Sequence, residues 1–128
     1  MTESPRSNRY VTTEPFWAGL QEGKLVLQYC PEAGRYQHIP RPISGYTGKR
    51  NIDWRPVSGT GTIYANTVIR VSGGIPTRSV AIVELDEGVR IIANIVDCAP
   101  DDVAIGQRVT LTQLRMDDDT KYPAFRCL

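Results

Sequence analysis

Ser58-Gly59-Thr60-Gly61-Thr62-Ile63-Tyr64-Ala65-Asn66-Thr67-Val68-Ile69-Arg70-Val71 is a glycine-spaced lead into one long alternating run. From Thr62 to Val71 the residues read with the period of two that a β-strand imposes. Ile63, Ala65, Thr67 and Ile69 fall on one side, and Tyr64, Asn66, Val68 and Arg70 on the other. Gly59 and Gly61 at the head of so long a strand predict a bulge or a sharp bend.

Downstream the pattern stays β. Ser79–Leu85 reads as a strand apolar on both faces, closed by the turn Asp86-Glu87-Gly88, and Arg90–Val96 is its hairpin partner. Pro100-Asp101-Asp102 opens a short helical turn that ends near Gly106. Arg108–Met116 is the next strand, Asp117-Asp118-Asp119 turns it, and Pro123–Cys127 is the last. Five strands, the first bent, with a helical turn before the fourth, describe a small closed barrel. The five-stranded OB-fold fits best, and an SH3-like barrel is the alternative. Closure lets strands be apolar on both faces without leaving an exposed edge.

Upstream, residues 1–12 are polar and unpatterned and read as a loose arm. Thr12 or Thr13 can cap a short helix, with Glu14 and Pro15 in its first turn and Gly23 at its end. Phe16, Trp17 and Leu20 make its apolar face. Lys24–Tyr29 alternates as a strand, with Leu25, Leu27 and Tyr29 on one side, and Tyr36–Ile39 pairs back onto it. The turn between them, Cys30-Pro31-Glu32-Ala33-Gly34, has the shape of a Cys-x-x-Cys-Gly zinc knuckle with alanine in the second ligand position. Ser44-Gly45-Tyr46-Thr47-Gly48 has the shape of a second knuckle, with Ser44 and Thr47 in the ligand positions. A structural zinc needs four nitrogen or sulfur ligands. The outline is therefore that of a degenerate, metal-free ribbon. The expected organisation is an arm at 1–12, helix plus ribbon at 13–51, and barrel at 52–128.

With 15 basic and 14 acidic residues the net charge is +1, which gives no electrostatic reason to expect nucleic acid or an anionic membrane as partner. Residues 1–50 carry seven Lys/Arg against four Asp/Glu, whereas residues 51–128 carry eight against ten. A nucleic-acid-binding OB-fold needs a basic groove with stacking aromatics, and this barrel is net acidic with few aromatics. The three cysteines, Cys30, Cys98 and Cys127, are widely spaced and odd in number. With no signal-peptide pattern and no membrane-length apolar run, they point to a soluble cytoplasmic protein with reduced thiols. His38 is the sole histidine, and no nucleophile–base pair stands at a recognisable spacing, so no catalytic residue is assigned.

From residue 13 onward the chain resembles the acyl-CoA-associated OB-fold proteins with an amino-terminal rubredoxin-like zinc ribbon, domain-of-unknown-function family thirty-five. Pro15-Phe16-Trp17-Ala18-Gly19-Leu20 resembles the family's opening helix, and Leu25–Cys30 with Gly34-Arg35 its first knuckle. Pro40-Arg41-Pro42 resembles the lead to the second knuckle, and Trp54–Gly61 the Ser-Gly-x-Gly approach to the barrel. Val83–Gly88, Asp97–Gly106 and Phe125-Arg126 resemble the central hairpin, the turn after it and the closing strand. The missing zinc ligands are the departure from the family pattern.

The resemblance implies a non-catalytic accessory subunit. It would bind acyl-CoA and complete the active site of a thiolase-like partner, of the acetyl-CoA acetyltransferase or aldolase type, in a hetero-oligomer. The alternatives are an accessory domain of a hotdog-fold acyl-CoA hydratase and, further off, a single-stranded nucleic-acid binder. Acyl-CoA is then the ligand, and no other cofactor and no zinc is expected. Arg41, Lys49 and Arg50, in the basic part, are the candidates for its phosphates. Tyr64 and Arg70, on one side of the long strand, are the candidates for the pantetheine path. Phe16, Trp17 and Leu20 are the candidate anchors for the partner protein.

Overall fold

The protein, a computed structural model, is described over residues 13–71, 73–74, 76–115 and 121–128. The expected arm at 1–12 and the expected turn at Asp117–Asp119 lie outside these residues. The chain forms two compact units that meet in sequence between Val57 and Ser58.

The first unit opens with helix α1, Glu14–Gln21. Pro15 in its first turn lacks only an N–H that has no helical partner there anyway, and Glu14 faces the positive end of the helix dipole. The helix stops at Gly23, whose φ of 78° suits glycine and whose N–H bonds the Leu20 carbonyl at 3.0 Å. Three strands follow: β1, Leu25–Cys30; β2, Arg35–Gln37; and β3, Asp53–Val57. They form an antiparallel sheet in the order β2-β1-β3, with Tyr29 opposite both Tyr36 and Asp53. Residues 53–57 were expected in the barrel. Their backbone hydrogen bonds run to β1 instead, so the ribbon unit ends after Val57 rather than after residue 51. β1 also departs from simple alternation. Leu25 and Leu27 are buried, and so are Gln28 and Cys30 on the opposite face, because both faces of this strand are covered.

The second unit is a closed barrel of β4, Thr60–Arg70; β5, Pro76–Leu85; β6, Arg90–Val96; β7, Arg108–Arg115; and β8, Lys121–Cys127. Around the barrel the order is β4-β5-β6-β8-β7, and β7 returns to β4 through Thr60–Thr62. The β6–β8 pair is parallel and the others are antiparallel. A single 3-10 turn, Pro100–Asp102, lies between β6 and β7. This order, with its one parallel seam, is that of the OB-fold and not of an SH3-like barrel. Ile63, Val83, Leu85, Ile91, Val109 and Phe125 fill the interior, each at most 2% exposed.

Both kinds of irregularity expected near the start of β4 are present: Gly59, just before the strand, takes a φ of 80°, and the register breaks a few residues on, at Tyr64. Ile63 pairs with Val83 and Ala65 with Ile82, so Tyr64 is the extra residue of a β-bulge. The bulge inverts the phase of the strand. Beyond it Asn66 and Val68 pair with the buried Ala81 and Ser79, while Thr67 and Ile69 turn outward. The uninterrupted alternation expected for Thr62–Val71 is thus broken after Ile63. Gly61 has a different role. A Cβ there would stand 2.5 Å from the Glu84 carbonyl oxygen and 2.9 Å from Val83 Cγ1, so glycine permits the β4–β5 approach.

Candidate functional site

The four ligand positions of the ribbon come together as the motif demands. The Gly34 N–H bonds the Cys30 carbonyl at 2.8 Å, and the Gly48 N–H bonds the Ser44 carbonyl at 2.9 Å. Gly34 and Gly48 take φ values of 65° and 73°, so both turns close alike. Between the two knuckles lies the Cys30 thiol, fully buried. The Ser44 hydroxyl, the Ala33 backbone N–H, the Thr47 hydroxyl and the Glu32 backbone N–H hydrogen-bond it. These contacts outweigh burial and lower its pKa from the ordinary thiol value. The zinc that the family resemblance would imply does not fit this donor set. One thiol, two neutral hydroxyls and a methyl group offer a single good ligand where four are needed. Among the described residues no group of three or more His, Cys, Asp or Glu converges on a metal site.

Two buried glutamines, which the sequence reading missed, join the knuckles. Gln28 on β1 and Gln37 on β2 face residues 41–45. Gln28 Nε2 donates to the Arg41 carbonyl and its Oε1 accepts from the Arg41 N–H, both at 2.8 Å. Gln37 Nε2 donates to Gln28 Oε1 at 2.8 Å and to the Ile43 carbonyl at 3.1 Å, while its Oε1 accepts from the Gly45 N–H at 2.8 Å. The loop is thereby tied to the three-stranded sheet through side-chain amides. The available signal was an amide between Leu27 and Tyr29 in an otherwise apolar strand. Tyr29 and Tyr36 pack edge to face at 4.7 Å, and the Tyr46 hydroxyl bonds the Tyr36 carbonyl at 3.1 Å.

The candidate partner anchors divide. Phe16 and Leu20 are buried inside the first unit, where Phe16 stacks on His38 at 5.5 Å. They belong to the core of this unit and are not free to anchor another protein, which corrects the expectation for both. The reason is the helix phase: Phe16, Gly19 and Leu20 form one inward face. Trp17 lies beside that face, half-buried and edge-on to Phe16 at 5.2 Å. Burial also lowers the pKa of His38.

Arg41, Lys49 and Arg50 are exposed on the second-knuckle segment. Lys49 meets Glu32 at 3.1 Å, a solvent-screened pair that exchanges easily. Tyr64 and Arg70, in the other unit, are six positions apart on β4, about 20 Å by strand rise. Arg90 covers the Tyr64 ring at 3.8 Å, and Arg70 pairs with Asp101 and donates to the Gly74 carbonyl at 3.1 Å. They do not share one pocket. Between their positions the outer face of β4, β5 and β6 carries a shallow apolar recess of about 240 Å³, whose lining includes Ala65, Thr67, Val80, Ile82 and Ile92. Ile92 is 64% exposed there. This recess follows from the bulge, which turns Thr67 outward, and no period-two reading places it.

At the other end of β4, side chains tie the strand to the Asp86-Glu87-Gly88 turn. The Ser58 N–H bonds Glu87 at 2.8 Å, and the Thr60 hydroxyl bonds Asp86 at 2.8 Å. Arg108 joins both Asp86 and the Thr62 hydroxyl, the latter at 3.1 Å. Every group here is satisfied by a neighbour, so the cluster organises the barrel and offers no unpaired acid or base. Cys30 and His38 form no dyad either. The thiol's partners are the knuckle groups, and the imidazole stacks on Phe16. Among the described residues no helix is long and apolar enough to cross a membrane.

A three-stranded ribbon with both knuckle turns intact, followed in sequence by an OB barrel, defines the class: a ribbon-plus-OB protein. Residues 54–113 match the family described as ChsH2, C-terminal OB-fold domain. The chain is 32% identical over 121 residues to a DUF35 domain-containing scaffold protein of Methanothermobacter thermautotrophicus, covering 87% of this chain and 81% of that one. It is 33% identical over 115 residues to a probable enoyl-CoA hydratase alpha subunit of Thermomonospora curvata, covering 87% of this chain but only 36% of that relative. Among solved structures it superposes on a chain of an "Ltp2-ChsH2(DUF35) aldolase" with a TM-score of 0.82 and 31% identity, over 97% of this chain and 98% of that one. The chain belongs to the DUF35 family.

Proposed function

We propose that this protein is a non-catalytic accessory subunit that binds acyl-CoA and completes the active site of a thiolase-like partner. The observation that carries this reading is the likeness, along nearly the whole of both chains, to a chain of the "Ltp2-ChsH2(DUF35) aldolase". The scaffold name of the Methanothermobacter relative supports a supporting rather than a chemical role. The site agrees: the polar clusters described above are internally paired and serve the fold.

Arg41, Lys49 and Arg50 bind the phosphates of the ligand in this reading, since all three are exposed and the Lys49–Glu32 pair is easily displaced. Arg70 and Tyr64 contribute less to the pantetheine path than the sequence suggested, because Asp101 and Arg90 already engage them. The partner docks on a surface that includes Trp17, and the complex is a cytoplasmic hetero-oligomer. Reversing Arg41, Lys49 and Arg50 together to Glu is expected to weaken acyl-CoA binding to the purified complex at least tenfold. Unchanged affinity would remove these residues from the site.

A second reading has an observation of its own. Two relatives matched by this chain are named as alpha subunits of acyl-CoA hydratases, and the chain spans little more than a third of each, 36% and 38%. In that reading the chain is the accessory domain of a hotdog-fold hydratase. Co-purification decides between them: a thiolase-like protein supports the first reading, and a hotdog-fold protein the second.

A further inference from the structure

The parallel seam of the barrel brings two thiols together. β6 and β8 pair through Asn94–Ala124, Ile95–Phe125 and Val96–Arg126. The residue after Arg126 is Cys127, and two residues after Val96 comes Cys98. Asp97, between Val96 and Cys98, takes a φ of 57°, which bends the chain as it leaves β6. The Cys127 thiol thus has the Cys98 thiol beside it at the end of the seam. Both are free and half-buried, whereas Cys30 is fully buried among the knuckle hydroxyls.

We propose that Cys98 and Cys127 are an oxidisable dithiol, a modification site at which a small-molecule disulfide such as oxidised glutathione is reduced and the two cysteines join. The step balances as a two-stage exchange. The Cys98 thiol gives its proton to solvent, and the thiolate attacks one sulfur of the glutathione disulfide. That S–S bond breaks, one glutathione leaves as thiolate and is protonated, and Cys98 carries a mixed disulfide. The Cys127 thiol then loses its proton to solvent and attacks the Cys98 sulfur. The second glutathione leaves and is protonated in turn. Two protein thiols have been oxidised, and one glutathione disulfide has been reduced to two thiols.

Burial, with the Cys98 thiol beside it, raises the Cys127 pKa to about 11, so little of Cys127 is thiolate at neutral pH and the exchange should speed up as pH rises. The product ties the end of β6 to the end of β8, a seam with only three paired positions. A cross-link there restricts the unfolded chain and opposes opening of the barrel at its parallel seam.

The test uses the whole reduced chain. It is incubated across a series of oxidised-to-reduced glutathione ratios, quenched, denatured and alkylated. The expected result is loss of two of the three free thiols. The intact mass should fall by two hydrogens, a cross-linked peptide should contain Cys98 and Cys127, and the urea midpoint should rise. Cys30→Ser should still close, and Cys98→Ser should not. Three alkylatable thiols at every ratio would overturn the proposal. So would stable glutathione adducts on Cys98 or Cys127 without a cross-link, or a cross-link that includes Cys30. The wild-type mass and peptide map decide the matter even where a variant folds poorly.

Discussion

Arg108 grips Asp86 with two nitrogens, Nη1 to Oδ1 at 2.7 Å and Nη2 to Oδ2 at 3.0 Å, and so ties β7 to the turn between β5 and β6. The two-point geometry is the one in which an exposed pair keeps a fixed partner. The Arg108 guanidinium and the Thr60 hydroxyl hold the Asp86 pKa down, from 3.8 to about 2. A depressed carboxylate contributes stability above its unfolded pKa and loses it as pH falls through the folded value. Wild type is therefore expected to exceed Asp86→Asn in urea midpoint near neutral pH, with the difference vanishing between about pH 4 and pH 2. A constant difference across that window would show that the pair's effect is not ionic.

The knuckles should hold without metal. Elemental analysis of the purified chain is expected to find far less than one zinc per chain, and a strong chelator should leave the thermal midpoint unchanged. Stoichiometric zinc, or melting on chelation, would contradict the donor set of Cys30, Ala33, Ser44 and Thr47.

Gln37→Leu removes the amide that bonds Gln28, Ile43 and Gly45. Buried partners left without a hydrogen bond cost about 1–3 kcal/mol. Hydrogen exchange should show the Gly45 amide losing protection while the barrel amides keep theirs. Uniform loss over both units would mean that the two glutamines do not act locally.

Gly61→Ala places a methyl group against the Glu84 carbonyl and Val83. The backbone cannot yield as a side-chain tip can, and overpacking of this kind costs about 1–3 kcal/mol. Gly48→Ala has open space around it but a φ of 73°, so its penalty is conformational alone. Chemical denaturation of the two variants should therefore rank Gly61→Ala as the more damaging.

Phe16→Ala and Trp17→Ala should part company. Truncating the buried Phe16 is expected to cost the first unit about 3–5 kcal/mol. Trp17→Ala should leave the unit folded and weaken capture of the partner protein on co-expression. Equal effects on folding would make Trp17 a core residue and remove it from the interface.

The barrel was legible because its strands announce themselves locally. Arg90–Val96 has the same bounds in sequence and structure, and the Pro100–Asp102 turn lies where its proline and aspartates predict. What misled was partnership rather than element type. Asp53–Val57 has no local mark that says whether it pairs with β1 or with the barrel. Period two at Thr62–Val71 cannot reveal that Tyr64 is an extra residue, since the bulge is set by β5 across the ladder. Phe16 and Leu20 read as an apolar helix face either way, and only packing decides whether the cover is this chain or another. The knuckles were legible because Cys30, Gly34, Ser44 and Gly48 keep the motif's spacing, whereas the Gln28–Gln37 bridge joins residues whose partners lie far along the chain.

The strand order also sets a timetable. Everything the ribbon sheet needs has been made once residue 57 is synthesised, because β3 is its last strand. The barrel cannot close so early. β8 sits between β6 and β7, and without it these two strands have no neighbour on that side. On a ribosome the first unit can therefore form while the second is still a run of open strands. Both seams of β8, to β7 and to β6, wait for that strand, and until then the facing edges of β6 and β7 lie open to any nascent-chain chaperone.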